Sequence, residues 1–486
     1  MRLAFIHYHL QPGGVTRVIQ HGLEALKGHD AKTVVLTGEP PCGDWPSEYR
    51  VIPGLRYEDV RPRISSVELA AQLEQSAREA LGGLPDVWHV HNHSLGKNLA
   101  LPPALCLLAE KGHRLLLHIH DFAEDGRPGN YRRMLDKLAG GKTETMSRLL
   151  YPSGGHIHYA VLTGRDFGFL RRAGADPARL HRLPNLAKLA EVSAPAHGDH
   201  GHGHGNIWLY PTRAIRRKNI GEFLLWSAVS SGGKLFATTS GPLNPRERPR
   251  YEAWQRLAAQ LKLPVEFELA NRPGCCFEGL LREAQVLLTT SMAEGFGMAF
   301  LEPWLAGRPV CGRDLPEITK EFREEGLCLP HLYERLNIPV RWLGRERIAA
   351  KARAGLRRSL AAYGRKPGRD DPDRVLAAWI IADRVDFGRL DEELQEIVLR
   401  RVVESPAEAR ALVPCSLPDP ARCAEKIEPN RRILREKYGL QAYGRKLMRV
   451  YGKLLSSRVS GIGCLNGEIL LDFFLAPERL TLLRVD

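Results

Sequence analysis

This sequence predicts an α/β protein made of two doubly wound parallel-sheet domains, and three observations carry the prediction. Short apolar runs of strand length alternate with helix-length amphipathic stretches from Leu3 to about Asn185. The same alternation restarts at Ile207. Between the two lies SAPAHGDHGHGHGN, residues 193–206, which is small, polar and flexible and reads as a linker. Strands that alternate with helices pair in parallel, because each return needs a crossover and the crossover helices cover both sheet faces.

Leu3–His7 is an apolar run that fits a buried strand. The helix expected over Val15–Lys27 follows from Val15, Val18, Ile19, Leu23 and Leu26 sharing one face. Thr33–Thr37, Val87–Val90, Leu115–Ile119 and Tyr159–Leu162 read as further buried strands, with helical stretches such as Val67–Leu81 between them. After the linker, strands are expected at Ile207–Tyr210, Leu235–Thr238, Val265–Leu269, Val286–Thr289 and Pro309–Cys311, and helices near 219–230, 249–261, 277–284 and 299–306. The first domain therefore spans residues 1–192 and the second 207–345. From Glu346 the chain turns helical and heavily charged, interrupted by GRKPGRDDPD at 364–373, so 346–425 reads as a helical insertion or appendage. Residues 426–486 read as closing helices and a tail, with the helix formers in Glu428–Leu455. Sheets of this kind bind ligands at the carboxyl ends of their strands, so two such domains on a hinge are expected to face each other across a cleft that holds the site.

The bulk properties narrow the function. A chain of 486 residues exceeds one ordinary core. The formal net charge of +14 is spread along the chain and not packed into a tail. It fits a generally basic surface, or one facing phosphorylated ligands or an anionic membrane. A nucleic-acid partner is not expected, because no recognised motif or basic stripe with interleaved aromatics accompanies the charge. The nine cysteines are scattered, Cys275 and Cys276 are adjacent, and no pair has zinc-ligand spacing, which points to a reducing compartment. The first residues carry no signal-peptide h-region, and no apolar run spans a bilayer. The expected location is the cytoplasm, with any contact at the inner membrane face peripheral.

Three constellations could carry chemistry. QPGGVTR at 11–17 follows the first strand and opens a helix, whose N-terminus favours anions; a turn needing positive φ explains Gly13 and Gly14 equally well. Arg213 and Lys218, in YPTRAIRRKNIGEF, lie between a strand and a helix with Arg216 and Arg217 between them. Two cations there can neutralise a diphosphate, and a solvated basic loop is the competing reading. SMAEGFGMAFLEPWLAGRPV at 291–310 is the most informative. Glu294 should sit in the loop at a strand end and Glu302 a turn or more into the next helix, with Gly295-Phe296-Gly297 between. Carboxylates suit sugar and ribose hydroxyls because they only accept hydrogen bonds.

Together these residues resemble the retaining GT-B-fold glycosyltransferases of family 4. The family shows a Gly-Gly turn after its first strand, a His-Asp in the N-terminal domain, an Arg…Lys pair opening the C-terminal domain and an E-x7-E motif spelled EGFG. Here Gly13-Gly14, His120-Asp121, Arg213…Lys218 and Glu294…Glu302 occur in that order. The resemblance is good over 1–190 and 207–320, weak from 320 to 425, and returns faintly at Asn430–Tyr451. It implies that Arg213 and Lys218 bind the donor diphosphate, Glu294 contacts the transferred sugar and Glu302 holds the ribose. Phe296, Gly297 and Met298 would offer backbone contacts to the donor, His120 would lie beside the transferred sugar, and Gly13 and Gly14 would line the site near the diphosphate and acceptor. It also implies retention of configuration through a front-face route without an enzyme nucleophile, so no catalytic base is assigned. The co-substrate would be a nucleotide sugar, with the Arg–Lys pair in place of a metal and no other cofactor; the acceptor is unidentified.

Two departures stand out. Gly312-Arg313-Asp314-Leu315-Pro316-Glu317 replaces the family's small residues, so Arg313 and Asp314 are specificity residues or a surface turn. The segment after 345 is extra. Among smaller signals, His197, His200, His202 and His204 alternate with Gly and Asp in the linker, where flexible histidines bind metal weakly. His89, His91 and His93 alternate on or after a strand and read as strand-end packing, and His118 shares a face with His120. Tyr443 and Tyr451 lie in an amphipathic closing helix, for which packing is favoured over a membrane surface. A sugar phosphorylase or sugar-nucleotide epimerase on the same fold, and a non-catalytic nucleotide-sugar binder, are the competing functions.

Overall fold

The computed structural model describes all residues except 58–63, 190–205, 231–232, 418–423 and 486. The linker, Asn206 apart, and its four histidines fall almost wholly outside the described residues. The chain divides into two compact units: unit 1 is Met1–Leu186, Ala362–Gly364 and Lys437–Leu475, and unit 2 is Ala187–Ala361, Arg365–Glu436 and Ala476–Asp486.

Unit 1 holds seven parallel strands: β1 (Arg2–His7), β2 (Lys32–Thr37), β3 (Tyr49–Val51), β4 (Val87–His91), β5 (Leu115–Ile119), β6 (Ile157–Val161) and β7 (Leu180–Arg182). Their order is β3-β2-β1-β4-β5-β6-β7. Winding reverses between β1 and β4, so the loops after those strands flank the crevice where ligands of such sheets bind. One face buries Leu69 and Leu73 of helix Ser66–Leu81 and Leu101 and Leu105 of helix Leu101–Glu110. The other is covered by helix Gly14–Leu26 and by helix Leu440–Ser456 from the far end of the sequence. These two helices cross closely at Gly444, where a Cβ would lie 2.8 Å from the carbonyl oxygen of Ala25. Tyr443 and Tyr451 are buried on this face.

The carboxyl half of that face is a layer of imidazoles. His7, His89, His91, His118 and His120 are buried on β1, β4, β5 and the residue after β5, with Tyr451 hydroxyl 2.8 Å from His89 Nδ1. Burial, reinforced by neighbouring histidines, lowers His7 and His89 to about 3 and puts His91 and His118 well below the ordinary value, and burial against the opposing charge of Asp121 lowers His120 to about 4. The folded protein keeps them neutral, while the unfolded chain takes up protons near pH 6.5.

Unit 2 repeats the plan with β8 (Ile207–Arg213), β9 (Leu235–Ser240), β10 (Val265–Glu266), β11 (Val286–Thr289), β12 (Val310–Arg313) and β13 (Leu332–Tyr333), all parallel, in the order β10-β9-β8-β11-β12-β13. The reversal falls between β8 and β11. Helix Ile220–Val229 is apolar on nearly every side, with Phe223, Leu224, Leu225 and Trp226 fully buried. Its outer side is covered by helix Glu392–Glu404, from which Gln395 Nε2 donates to Asn219 Oδ1 at 2.9 Å. The segment after 345 also supplies helices Arg345–Ala362 and Asp371–Trp379 and the hairpin of Ile380–Ile381 and Arg384–Asp386, whose second strand pairs with Asn337–Pro339. Val385, Phe387, Leu394 and Val398 have no solvent exposure, so this segment is part of unit 2's core.

Arg313, which ends β12, is 1% exposed and is neither a surface turn nor a group open to ligand. Its guanidinium bonds Glu222 (2.5 and 2.9 Å) and Asp386 (2.9 and 3.1 Å), and Tyr333 hydroxyl donates to Glu222 at 2.7 Å. Asp314 is likewise buried and holds Thr319 and Arg323. One guanidinium thus ties the core helix, the sheet and the late hairpin together.

Two outcomes are expected. Arg313→Met strands two buried carboxylates and lowers the stability measured by urea unfolding by about 3–5 kcal/mol, and adding Glu222→Gln recovers part of the loss. A loss within experimental error would contradict the network's role. The imidazole layer has the opposite sign to a histidine that gains an ion partner. Its folded pKa values are lowered, so the unfolded state binds more protons and stability falls as pH drops below 6.5. Between pH 6.5 and 5, His7 and His89 each cost about 2 kcal/mol. Urea titrations at pH 7.5 and pH 5.0 should differ accordingly; equal midpoints would contradict the buried, neutral layer.

Candidate functional site

In unit 2 the site residues follow β8 and β11, on either side of the winding reversal. β8 ends at Arg213, a short 3₁₀ turn spans Arg216–Lys218, and Asn219 takes a left-handed conformation (φ 54°) before the core helix starts. Tyr210 hydroxyl and Thr290 Oγ1 each donate to the carbonyl of Lys218 at 3.0 Å, and Tyr210 hydroxyl lies 2.9 Å from Ser291 Oγ. These bonds lock the two strand ends together and fix the Lys218 backbone.

Lys218 Nζ donates to Glu294 Oε1, and Arg217 Nη1 stands 3.7 Å from Glu294 Oε2. Arg217 also donates to the carbonyl of Ala293. Burial alone would raise the Glu294 carboxyl, but Lys218 and Arg217 outweigh it and hold it below its ordinary value. Burial lowers Lys218 more than Glu294 lifts it. Arg213 is exposed, and its side chain has no ion pair among the described residues. Arg216, by contrast, is taken up by Glu392 at 2.6 and 2.8 Å and by the carbonyl of Val485. This division of labour among the basic residues, and the parts of Thr290 and Ser291, depend on partners far away in the chain and left no local pattern to read.

The loop after Glu294 is shaped by packing. Phe296 is buried edge-on against Phe322 at 5.6 Å. Gly297 has φ 95°, and a Cβ there would meet Ile318 at 2.8 Å, so only glycine fits. Met298–Phe300 is a 3₁₀ turn, and the helix proper is only Glu302–Leu305 with Pro303 near its start. Glu302 therefore opens this helix and does not sit a turn inside it. Its charge reaches Lys218, so Lys218, Glu294 and Glu302 share one electrostatic site.

Unit 1 carries the remaining candidates on its own sheet. Gly13 is extended (φ −176°) and caps helix Gly14–Leu26 without a side-chain bond; neither it nor Gly14 has positive φ. A Cβ on Gly14 would meet nothing within 4 Å, so the glycines here are not required by a turn and instead leave the helix N-terminus uncovered. His120 follows β5. Asn92 Oδ1 accepts from the backbone N–H of His120 at 2.7 Å and of Asp121 at 3.0 Å, and Asp121 pairs with Arg127 at 2.7 Å. His91 Nδ1 lies 2.9 Å from His120 Nε2, and His89 Nε2 lies 3.1 Å from His118 Nδ1.

His89, His91 and His118 bring ligand nitrogens within 4.8 Å of one another, as a metal site would. However, His89 stacks on His91 with ring centroids 4.4 Å apart, and His118 lies tilted by 32° over His120 at 4.1 Å. In-plane lone pairs of rings stacked this way run side by side and do not converge. The geometry is that of two hydrogen-bonded imidazole pairs laid face to face.

No family model matches the chain. In sequence it is similar to mannosylglucosyl-3-phosphoglycerate synthase of Petrotoga mobilis, 27% identical over 352 residues; the match covers 66% of this chain and 66% of that protein. In structure it is similar to sucrose-phosphate synthase from Thermosynechococcus elongatus, with a TM-score of 0.52, 14% identity, and 93% and 98% of the two chains covered. It is also similar to HepE of Anabaena in complex with UDP, with a TM-score of 0.51, 13% identity, and 92% and 99% covered. No helix among the described residues is long and apolar enough to cross a membrane. With two parallel α/β units of one strand order and these structural neighbours, the chain has the GT-B fold of glycosyltransferases.

Proposed function

We propose that this protein is a glycosyltransferase that takes a sugar from a nucleotide-diphosphate donor held on unit 2. The observation that carries the reading is the Lys218–Glu294 pair at the winding reversal of the sheet, in the loop that follows the exposed Arg213, whose side chain has no ion pair among the described residues. Arg213 and Lys218 would neutralise the diphosphate as it leaves. A preorganised cation that meets charge developing in the transition state contributes about 3–4 kcal/mol. Glu294 would release Lys218 in part and accept from sugar hydroxyls, Glu302 would accept from the ribose, and the Gly297 and Met298 backbone would meet the donor. The resemblance to family 4 supports retention of configuration. The eight described cysteines are unpaired thiols, which suits the cytoplasm.

The Petrotoga relative's name supports a phosphoglycerate-bearing glycoside as the first acceptor to try. On unit 1, the uncovered helix start at Gly13-Gly14 would favour such an anion.

Thermal melts with UDP-, GDP- and ADP-sugars, with and without magnesium, test the donor. One nucleotide should stabilise the protein by about 2.7 kcal/mol at a hundred times its Kd, without metal. Arg213→Ala should weaken that nucleotide about 10–100-fold. Glu294→Gln should leave binding of the free nucleoside diphosphate within a few-fold while turnover of the nucleotide sugar falls about 10²-fold or more. Stabilisation by no nucleotide would overturn the reading. Equal loss of nucleotide binding and turnover in Glu294→Gln would assign that residue to folding of the loop.

A further inference from the structure

His91, the last residue of β4, is a buried titratable group that the transferase reading leaves without a task. Its Nδ1 lies 2.9 Å from His120 Nε2. Its other ring nitrogen, Nε2, is buried and has no hydrogen-bond partner among the described residues. One proton lies between the two rings, given by one and accepted by the other. If His120 gave it, His91 would carry its own proton on Nε2, leaving a buried N–H unpaired. If His91 gives it, only a lone pair is left unpaired. Orphaned buried donors are rarer than under-used acceptors. Two protons on one ring offer no escape, because burial and the surrounding histidines keep His91 neutral and burial lowers His120 to about 4.

The next residue fixes the rest of His120. Asn92 adopts φ 55°, its N–H donates to the carbonyl of His118 at 2.9 Å, and its Oδ1 takes the N–H groups of His120 and Asp121. Asparagine tolerates the left-handed region that this turn imposes. Consecutive residues at the end of β4 therefore hold both the ring and the main chain of His120.

We propose that His91 is a positioning residue that donates from Nδ1 to His120 Nε2 and so holds His120 in the Nδ1–H tautomer. His120 then presents a hydrogen-bond donor, suited to a sugar hydroxyl or ring oxygen, and cannot act as a base, because its one lone pair is occupied by His91. Naming a sugar rests on the transferase reading; the tautomer does not.

The full-length protein labelled with ¹⁵N-histidine tests the tautomer at pH 7.5 through two-bond ¹H–¹⁵N correlations, with His120→Asn identifying the resonance. A protonated Nδ1 and bare Nε2 on His120 are expected; the reverse overturns the proposal. Turnover of UDP-glucose tests the role. His91→Asn keeps a donor near the place of Nδ1, whereas His91→Leu fills similar space without one. His91→Leu should lower kcat about tenfold or more with KM within about twofold, and His91→Asn should stay within a few-fold of the parent. Equal losses in both variants would make His91 a packing residue and overturn the proposal. If the parent protein turns over no UDP-glucose, that donor is ruled out without touching the tautomer, and the tautomer measurement still decides this inference.

Discussion

The pair between Lys218 and Glu294 is the contact on which the account of unit 2 depends. It joins residues that stand 76 positions apart in the sequence. They meet because β8 and β11 are neighbours at the winding reversal, and because Tyr210, Thr290 and Ser291 tie the two strand ends. A half-buried ammonium beside a half-buried carboxylate is weak evidence for stability, since each ion gives up part of its hydration. It is a useful arrangement for a ligand that brings its own charge. A diphosphate can replace the carboxylate as the cation's partner, and the freed carboxylate can accept from hydroxyls.

Unit 1 meets the same topological problem with neutral groups. At the carboxyl ends of β1, β4 and β5 it buries imidazoles, with His89 against Tyr451 of helix Leu440–Ser456, and keeps them uncharged. Paired imidazoles satisfy part of one another's hydrogen-bonding capacity without a net charge. That makes the layer rigid at neutral pH and sensitive to acid. It also puts the orientation of His120 under the control of the adjacent strand.

Much of the fold was legible because parallel strands buried on both faces read as apolar runs, as in Leu3–His7 and Val286–Thr289. Glycine and charge at the ends of such runs marked Gly13-Gly14, Arg213, Lys218 and Glu294. What escaped was decided by distant partners. Arg313 reads as a loop residue until Glu222, 91 positions away, and Asp386, 73 positions away, close around it. Helix Glu392–Glu404 looks charged and separate in sequence, yet its apolar stripe covers helix Ile220–Val229. The Glu302 helix starts later than its residue pattern suggests because packing of Phe296 and Gly297 against Ile318 and Phe322 takes up the first turn. The histidines of β4 and β5 gave strand alternation but not their cross-strand pairing.

In the proposed reaction the two cations at and after the end of β8 receive a diphosphate, and Glu294 then turns to the sugar. A crystal structure of the protein soaked with the nucleoside diphosphate that stabilises it measures this directly. The diphosphate is expected within hydrogen-bonding distance of both Arg213 and Lys218, with a lengthened Lys218–Glu294 contact. A nucleotide bound elsewhere, or one bound with the Lys218–Glu294 pair intact and Arg213 in solvent, would contradict it.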